Sequence, residues 1–106
     1  MIALMALAGM AASSPPPIRL EAEPVGQAMR FQVVGEADRP LAARFTLQVE
    51  SGAGNRSQNA GTARLVPGQR AVLTTVTVSL NGQPWRATLR VEPEGAAPYE
   101  QALRGD

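Results

Sequence analysis

The sequence predicts an all-β fold, an immunoglobulin-like antiparallel β-sandwich of about seven strands, and three observations support this. Apolar and polar residues alternate with period two along most of the chain beyond Pro17, which is the pattern of strands with one buried face. No window has apolar residues at the three-to-four spacing of an amphipathic helix. Ten glycines and nine prolines separate the alternating segments, and short strands divided by such turns are typical of sandwiches.

Each expected strand is a run of alternating or β-branched residues. The clearest is the third, in which Ala43, Phe45, Leu47 and Val49 alternate with polar side chains. The fifth is mostly β-branched, and such residues are enriched in strands. In chain order, the expected strands are residues 18–23, 29–33, 43–50, 62–66, 71–80, 85–92 and 99–103.

A turn signal predicts how the fifth and sixth strands are joined. Asn81-Gly82 is a strong two-residue hairpin signal. In that hairpin Val78 would face Trp85, so the inward side chains of both strands would agree. Arg86 and Arg90 would then point outward on one strand, about 13 Å apart.

Composition excludes most catalytic and metal chemistry. The 106 residues are enough for one small domain, with a formal net charge of +1, and they include no Cys and no His. All ten basic residues are Arg. Without His, Cys or Lys, a nucleophile lacks an adjacent base, and common zinc ligands are missing. We therefore expect no enzyme, no cofactor and no metal site.

The N-terminal region predicts export. Residues 2–12 form an apolar run that suits a secretory signal and is too short to span a bilayer as a helix, although no basic residue precedes it. We expect a signal peptide at residues 1–12, a proline-rich spacer at 13–17 and the β-sandwich domain at 18–106. We expect an exported protein, with no membrane insertion once the signal is removed.

Arginine dominates the middle of the chain and defines the candidate partner-binding residues. Five arginines and no acidic residue lie between Glu50 and Glu92, which predicts a one-sided basic surface. A polar tract at residues 51–61 is interpreted either as a connecting loop or as a segment whose amides pair with another chain. The candidate residues lie at outward strand positions or in this tract: Arg44, Arg64, Arg86, Arg90, Arg56 and Gln58.

Several short motifs resemble a known family. They are Phe45-x-Leu47, Ser51-Gly52, Ser57-Gln58, Gly61, Val72-Leu73-Thr74 and Arg86-Ala87-x-Leu89-x-Val91. Together they resemble the CsgH-type curli assembly chaperones, the Cys-free relatives of the CsgC family. The resemblance implies a periplasmic immunoglobulin-like domain that keeps curli subunits from forming amyloid before secretion. Its implied partner is the disordered, acidic curli major subunit, bound by a monomer. The Cys-x-Cys pair of the CsgC branch is missing, so a redox role is not expected.

Two other functions remain open from the residues alone. One is a structural or adhesive component of the envelope or of fimbriae that associates through strand edges. The other is a module that binds acidic polysaccharide or nucleic acid. Nucleic acid is not expected, because Phe31, Phe45 and Trp85 fall on the apolar face, away from the positions where aromatic rings would stack on bases.

Overall fold

The computed structural model describes residues 16–52 and 54–105. These residues form seven strands. All the pairings are antiparallel, so the predicted all-β fold is confirmed. The predicted signal peptide lies outside the described residues, as do positions 13–15 of the predicted spacer. The strands are β1 Ile18–Val25, β2 Ala28–Gly35, β3 Leu41–Ser51, β4 Arg56–Leu65, β5 Ala71–Ser79, β6 Trp85–Pro93 and β7 Tyr99–Gly105.

The strands divide into two sheets that share one core. A three-stranded sheet has the order β1-β2-β5, and a four-stranded sheet has the order β4-β3-β6-β7. In immunoglobulin constant domains the fourth strand joins the sheet of the first, second and fifth, whereas here it pairs with β3. Fully buried side chains of both sheets pack together, among them Phe31, Val33, Leu47 and Leu89. Burial of this apolar surface is the main force that holds the sheets together.

The Asn81-Gly82 turn forms as predicted, but the strands on either side of it do not pair. Both residues have positive φ, 51° and 80°, and the amide of Gln83 donates to the carbonyl of Leu80 at 2.9 Å. The chain then crosses to the other sheet, where β6 lies between β3 and β7. The predicted hairpin register is therefore wrong. The inward residues were predicted correctly, because they point to the core whether the strands share a sheet or face each other across it.

The polar tract is also more regular than a connecting loop. Residues 56–61 belong to β4 and pair with β3 in continuous register, with Gly61 opposite Phe45. A methyl group added at Gly61 would stand 3.0 Å from Cζ of Phe45. Glycine thus lets the phenyl ring lie against the backbone of β4, and the close pairing overrides the weak strand propensity of the tract.

One side of the sandwich is closed by hydrogen bonds from side chains of β7. The hydroxyl of Tyr99 donates to the carbonyl of Ile18 at 2.7 Å and accepts from its amide at 3.1 Å. The carboxamide of Gln101 donates to the carbonyl of Leu20 at 3.0 Å and accepts from its amide at 2.9 Å. These side chains replace the missing strand partner of β1 at Ile18 and Leu20, so this part of the edge is protected from pairing with another chain.

Candidate partner-binding face

All six predicted partner-binding residues lie on one surface. The even-numbered residues of the four-stranded sheet point away from the core, and we call this surface the four-stranded face. Arg44 lies on β3, Arg86 and Arg90 lie on β6, and the other three lie on β4. All six are exposed. The sequence predicted the outward direction of four of them, Arg44, Arg64, Arg86 and Arg90, and placed Arg56 and Gln58 in the polar tract without a direction. The strand order brings all six onto a single sheet.

The register of the strands places these residues in rows across the face. At one end Arg56, Glu50 and Arg86 lie side by side, and Arg104 of β7 is the next member of the row. A central row is uncharged: Gln58, Gln48, Thr88 and Ala102. The next row joins Thr46 to Arg90, and Arg90 to Glu100. The row beyond it places Arg44 between Thr62 and Glu92.

The face is less one-sided than the sequence predicts. Acidic residues from outside the arginine-rich stretch, or from its limits, come next to the arginines through strand pairing. Arg56 lies 3.2 Å from Glu50, Arg44 lies 3.8 Å from Glu92, and Arg90 lies 3.4 Å from Glu100. The expectation of a basic surface with almost no acid is therefore wrong, because sequence neighbours are not neighbours across a sheet.

An excess of positive charge nevertheless remains. The strands of the four-stranded face present six arginines against three glutamates, an excess of three positive charges. Within the described residues, three of these arginines have no carboxylate within 4.0 Å: Arg64, Arg86 and Arg104. Positive potential over such a surface raises the association rate of acidic chains.

Arg104 was not among the predicted site residues. The last strand was expected to end at residue 103, whereas β7 runs to Gly105. The alternation of Glu100, Ala102 and Arg104 was the signal that could have extended it. Gly105 itself lies opposite Trp85, and the indole ring occupies the space that a Cβ would need there.

Comparison with solved structures identifies the fold. The solution structure of CsgH from R. palustris superposes with a TM-score of 0.63 and 26% identity, covering 81% of this chain and 88% of that one. CsgC, a curli protein from E. coli, superposes with a TM-score of 0.60 and 12% identity, covering 81% of this chain and 95% of that one. The chain has the CsgH/CsgC-type fold.

The remaining comparisons are less specific. The β-glucuronidase of Parabacteroides merdae superposes with a TM-score of 0.51 and 16% identity, covering 86% of this chain but only 13% of that enzyme. That likeness shows only that a β-sandwich of this kind also occurs inside a larger protein. No family model matches the chain, and no curated protein matches it either.

The described part of this CsgH/CsgC-type fold exposes one broad charged surface, the four-stranded face. Among residues 16–52 and 54–105, no three acidic side chains converge as metal ligands would, and no helix is long and apolar enough to cross a bilayer. Burial raises the pKa of Tyr99, and the hydrogen bond to the backbone of Ile18 lowers it in part. Its hydroxyl holds β1 in place and lies on the inward side of β7.

Proposed function

We propose that this chain is a periplasmic chaperone that delays amyloid formation by curli subunits through weak, electrostatically guided contacts. The observation that carries the proposal is the four-stranded face, where six arginines against three glutamates lie on one exposed sheet. The fold shared with CsgH at 26% identity supports a role in curli assembly. The proposal requires neither catalysis nor a cofactor.

The physical basis is the kinetics of amyloid nucleation. A nucleus forms when several disordered chains meet and pair as strands. A disordered client with net negative charge is attracted to a surface with excess positive charge, and such encounters are fast and sensitive to salt. A short-lived complex lowers the concentration of client free to nucleate. Because a nucleus needs several chains at once, even weak binding lengthens the lag before fibrils appear.

The test is fibril growth of purified curli major subunit, followed with an amyloid dye, with this protein well below equimolar concentration. We expect a longer lag at low ionic strength, and a lag that shortens again at high salt because salt screens exposed charges. The double variant Arg86→Glu/Arg90→Glu should lose most of the delay. Both side chains are exposed, so the fold should be retained, as circular dichroism can verify.

A matched control distinguishes the effect of charge on the four-stranded face from the effect of total charge. Arg39 and Arg70 are exposed and lie outside the four-stranded face. The double variant Arg39→Glu/Arg70→Glu therefore changes the net charge equally and should still delay fibril growth. If wild-type protein at equimolar concentration leaves the lag unchanged, the proposed function is wrong. If both double variants lose the delay equally, the four-stranded face is not the binding surface.

A second candidate is a structural or adhesive component that associates through strand edges. β5 favours it, because this nine-residue edge strand carries no charged residue and exposes Val72, Thr75 and Thr77. Long uncharged edges are sites of strand pairing between chains. Sedimentation at increasing concentration distinguishes the two functions. A chaperone acting through its arginines stays monomeric, whereas an edge-assembled component forms oligomers that Thr75→Lys disrupts.

A further inference from the structure

Two arginines that have no carboxylate within 4.0 Å among residues 16–52 and 54–105 lie directly opposite each other at one end of the four-stranded face. Arg86 of β6 pairs in register with Arg104 of β7. The nearest carboxylate in their row belongs to Glu50, which lies 3.2 Å from Arg56 and accepts a hydrogen bond from Gln48 at 3.2 Å. Like charges directly opposite on neighbouring strands destabilise a sheet. The pair therefore does not serve folding, and a bound anion would remove the repulsion.

The two guanidinium groups border a surface hollow. It has a volume of about 380 Å³ and is lined by Glu50, Ser51, Gly52, Pro84, Trp85, Arg86 and Arg104. Trp85 also lines the hollow, and its ring packs edge-on against Phe31 on the core side of the sheet.

The opposite end of the same face provides a contrast. A second hollow there is lined by Arg44 and Arg64 but also by Glu92 and Glu94. Two positive and two negative charges balance in that hollow. Arg64 is as exposed and as unpaired as Arg104, yet it lacks a neighbouring arginine with which to share a ligand. The excess charge of the face is thus concentrated in the row of Arg56, Arg86 and Arg104.

We propose that the hollow at Arg86 and Arg104 binds the carboxylate of an Asp or Glu side chain from a flexible acidic polypeptide. Guanidinium groups pair with carboxylates through two parallel hydrogen bonds, which gives geometric specificity as well as attraction. The volume accommodates one such side chain and its backbone. This site rests on the proposed function in that the client is an acidic polypeptide, and it specifies where that client is anchored.

The chain's single tryptophan makes the site directly measurable. The probe is a flexible peptide of repeated Asp-Gly-Ser units with blocked ends, and the comparison peptide has Asn in place of Asp. We expect Trp85 fluorescence to change on titration with the Asp peptide and to respond little to the Asn peptide. Arg104→Gln should weaken binding about tenfold or more, which corresponds to the loss of one charge-assisted hydrogen bond.

Arg64→Gln is the matched control. It removes the same charge from the same face, so the general attraction falls equally, and we expect less than about a twofold loss of affinity. Equal losses in the two variants would overturn the site, because attraction would then depend on net charge alone. Tighter binding of a single-stranded oligonucleotide of equal charge would also overturn it, because the hollow would then prefer phosphate.

The test also separates this site from the proposed function. If the Asp peptide binds as expected while curli fibril growth is not delayed, the site stands and the proposed function is wrong. If Arg104→Gln binds the peptide like the wild type and delays fibrils equally well, the site is wrong and the function stands.

Discussion

The outer faces of the two sheets differ in their balance of positive and negative charge. The strands of the three-stranded face carry two arginines and two glutamates, Glu36 and Arg70 flank these strands, and every one of these arginines has a carboxylate partner. The pairs are Arg19 with Glu21 and Glu36, Arg30 with Glu23, and Arg70 with Glu21. On the four-stranded face, six arginines meet three glutamates, and Arg64, Arg86 and Arg104 lack a partner within the described residues.

The difference lies in how strongly each face attracts a charged molecule. A surface of balanced, paired charges attracts neither sign strongly. Exposed ion pairs of this kind contribute little to stability, so neither face is needed to hold the fold. The excess on one face is therefore free to be used for binding, and the core beneath is the same for both.

The largest effect is expected on the association rate, when the charges of the four-stranded face are made as balanced as those of the three-stranded face. Thr62, Thr88 and Ala102 occupy outward positions on three different strands. Changing all three to Glu offsets the excess of three positive charges without removing an arginine. We expect the association rate with an acidic client to fall about tenfold or more and to lose its salt dependence, as measured by stopped-flow fluorescence.

The same three substitutions must leave the fold intact for the result to be informative. Placing Glu at three outward positions of the three-stranded face, Gln32, Thr75 and Thr77, gives the matched control. We expect this control to associate with the acidic client faster than the balanced variant does. Equal rates for the two triple variants would show that the excess of charge on one face is irrelevant.

The side of a strand that each residue faces could be predicted from the sequence, but the pairing of the strands could not. Period-two alternation placed Arg44, Arg86 and Arg90 on outward positions, and each is exposed in the structure. The same alternation is compatible with a hairpin and with a crossover between sheets, because an inward residue faces the core in both. The Asn81-Gly82 turn therefore could not reveal that β5 and β6 lie in different sheets.

The charge of the site depends on that unpredictable pairing. Glu92 lies 3.8 Å from Arg44 because β6 pairs with β3, and Glu100 lies 3.4 Å from Arg90 because β6 pairs with β7. The Arg86–Arg104 pair arises from the register of β6 with β7, which no local pattern encodes. Alternation in the sequence was sufficient to place Arg44, Arg64, Arg86 and Arg90 at outward positions, whereas the arrangement of charges around them required the strand order.

A smaller effect is expected where the two sheets are joined. The hydroxyl of Tyr99, in the four-stranded sheet, makes hydrogen bonds to both the amide and the carbonyl of Ile18 in the three-stranded sheet. Tyr99→Phe leaves those buried groups without a partner and should lower the free energy of unfolding by about 1–3 kcal/mol. Urea denaturation measures this loss. Gln58→Leu, on an exposed position of β4, should change stability by less than about 0.5 kcal/mol.

The pKa of Tyr99 gives the same prediction a pH dependence. Burial raises this pKa above its usual value of 10.0, although the hydrogen bond to Ile18 opposes the shift. A raised pKa means that the unfolded state loses its proton first, so the stabilisation is complete below pH 10.0 and is lost as pH rises through the folded-state value. In Tyr99→Phe this alkaline loss should be absent. An alkaline decline of equal size in the variant would contradict the assignment.

The smallest expected effect is on the free energy of unfolding, which should change in opposite directions when an arginine is removed from each face. Arg104→Gln removes a like-charge contact with Arg86 and should raise the free energy of unfolding by about 0.2–1 kcal/mol. Arg70→Gln removes a 2.9 Å ion pair with Glu21 and should lower it by about 0–1 kcal/mol. Thermal unfolding of both variants measures the difference. Stabilisation by Arg104→Gln together with weaker peptide binding would mean that the repulsion is kept for binding, at the expense of stability. Destabilisation by Arg104→Gln would instead mean that Arg104 supports the fold.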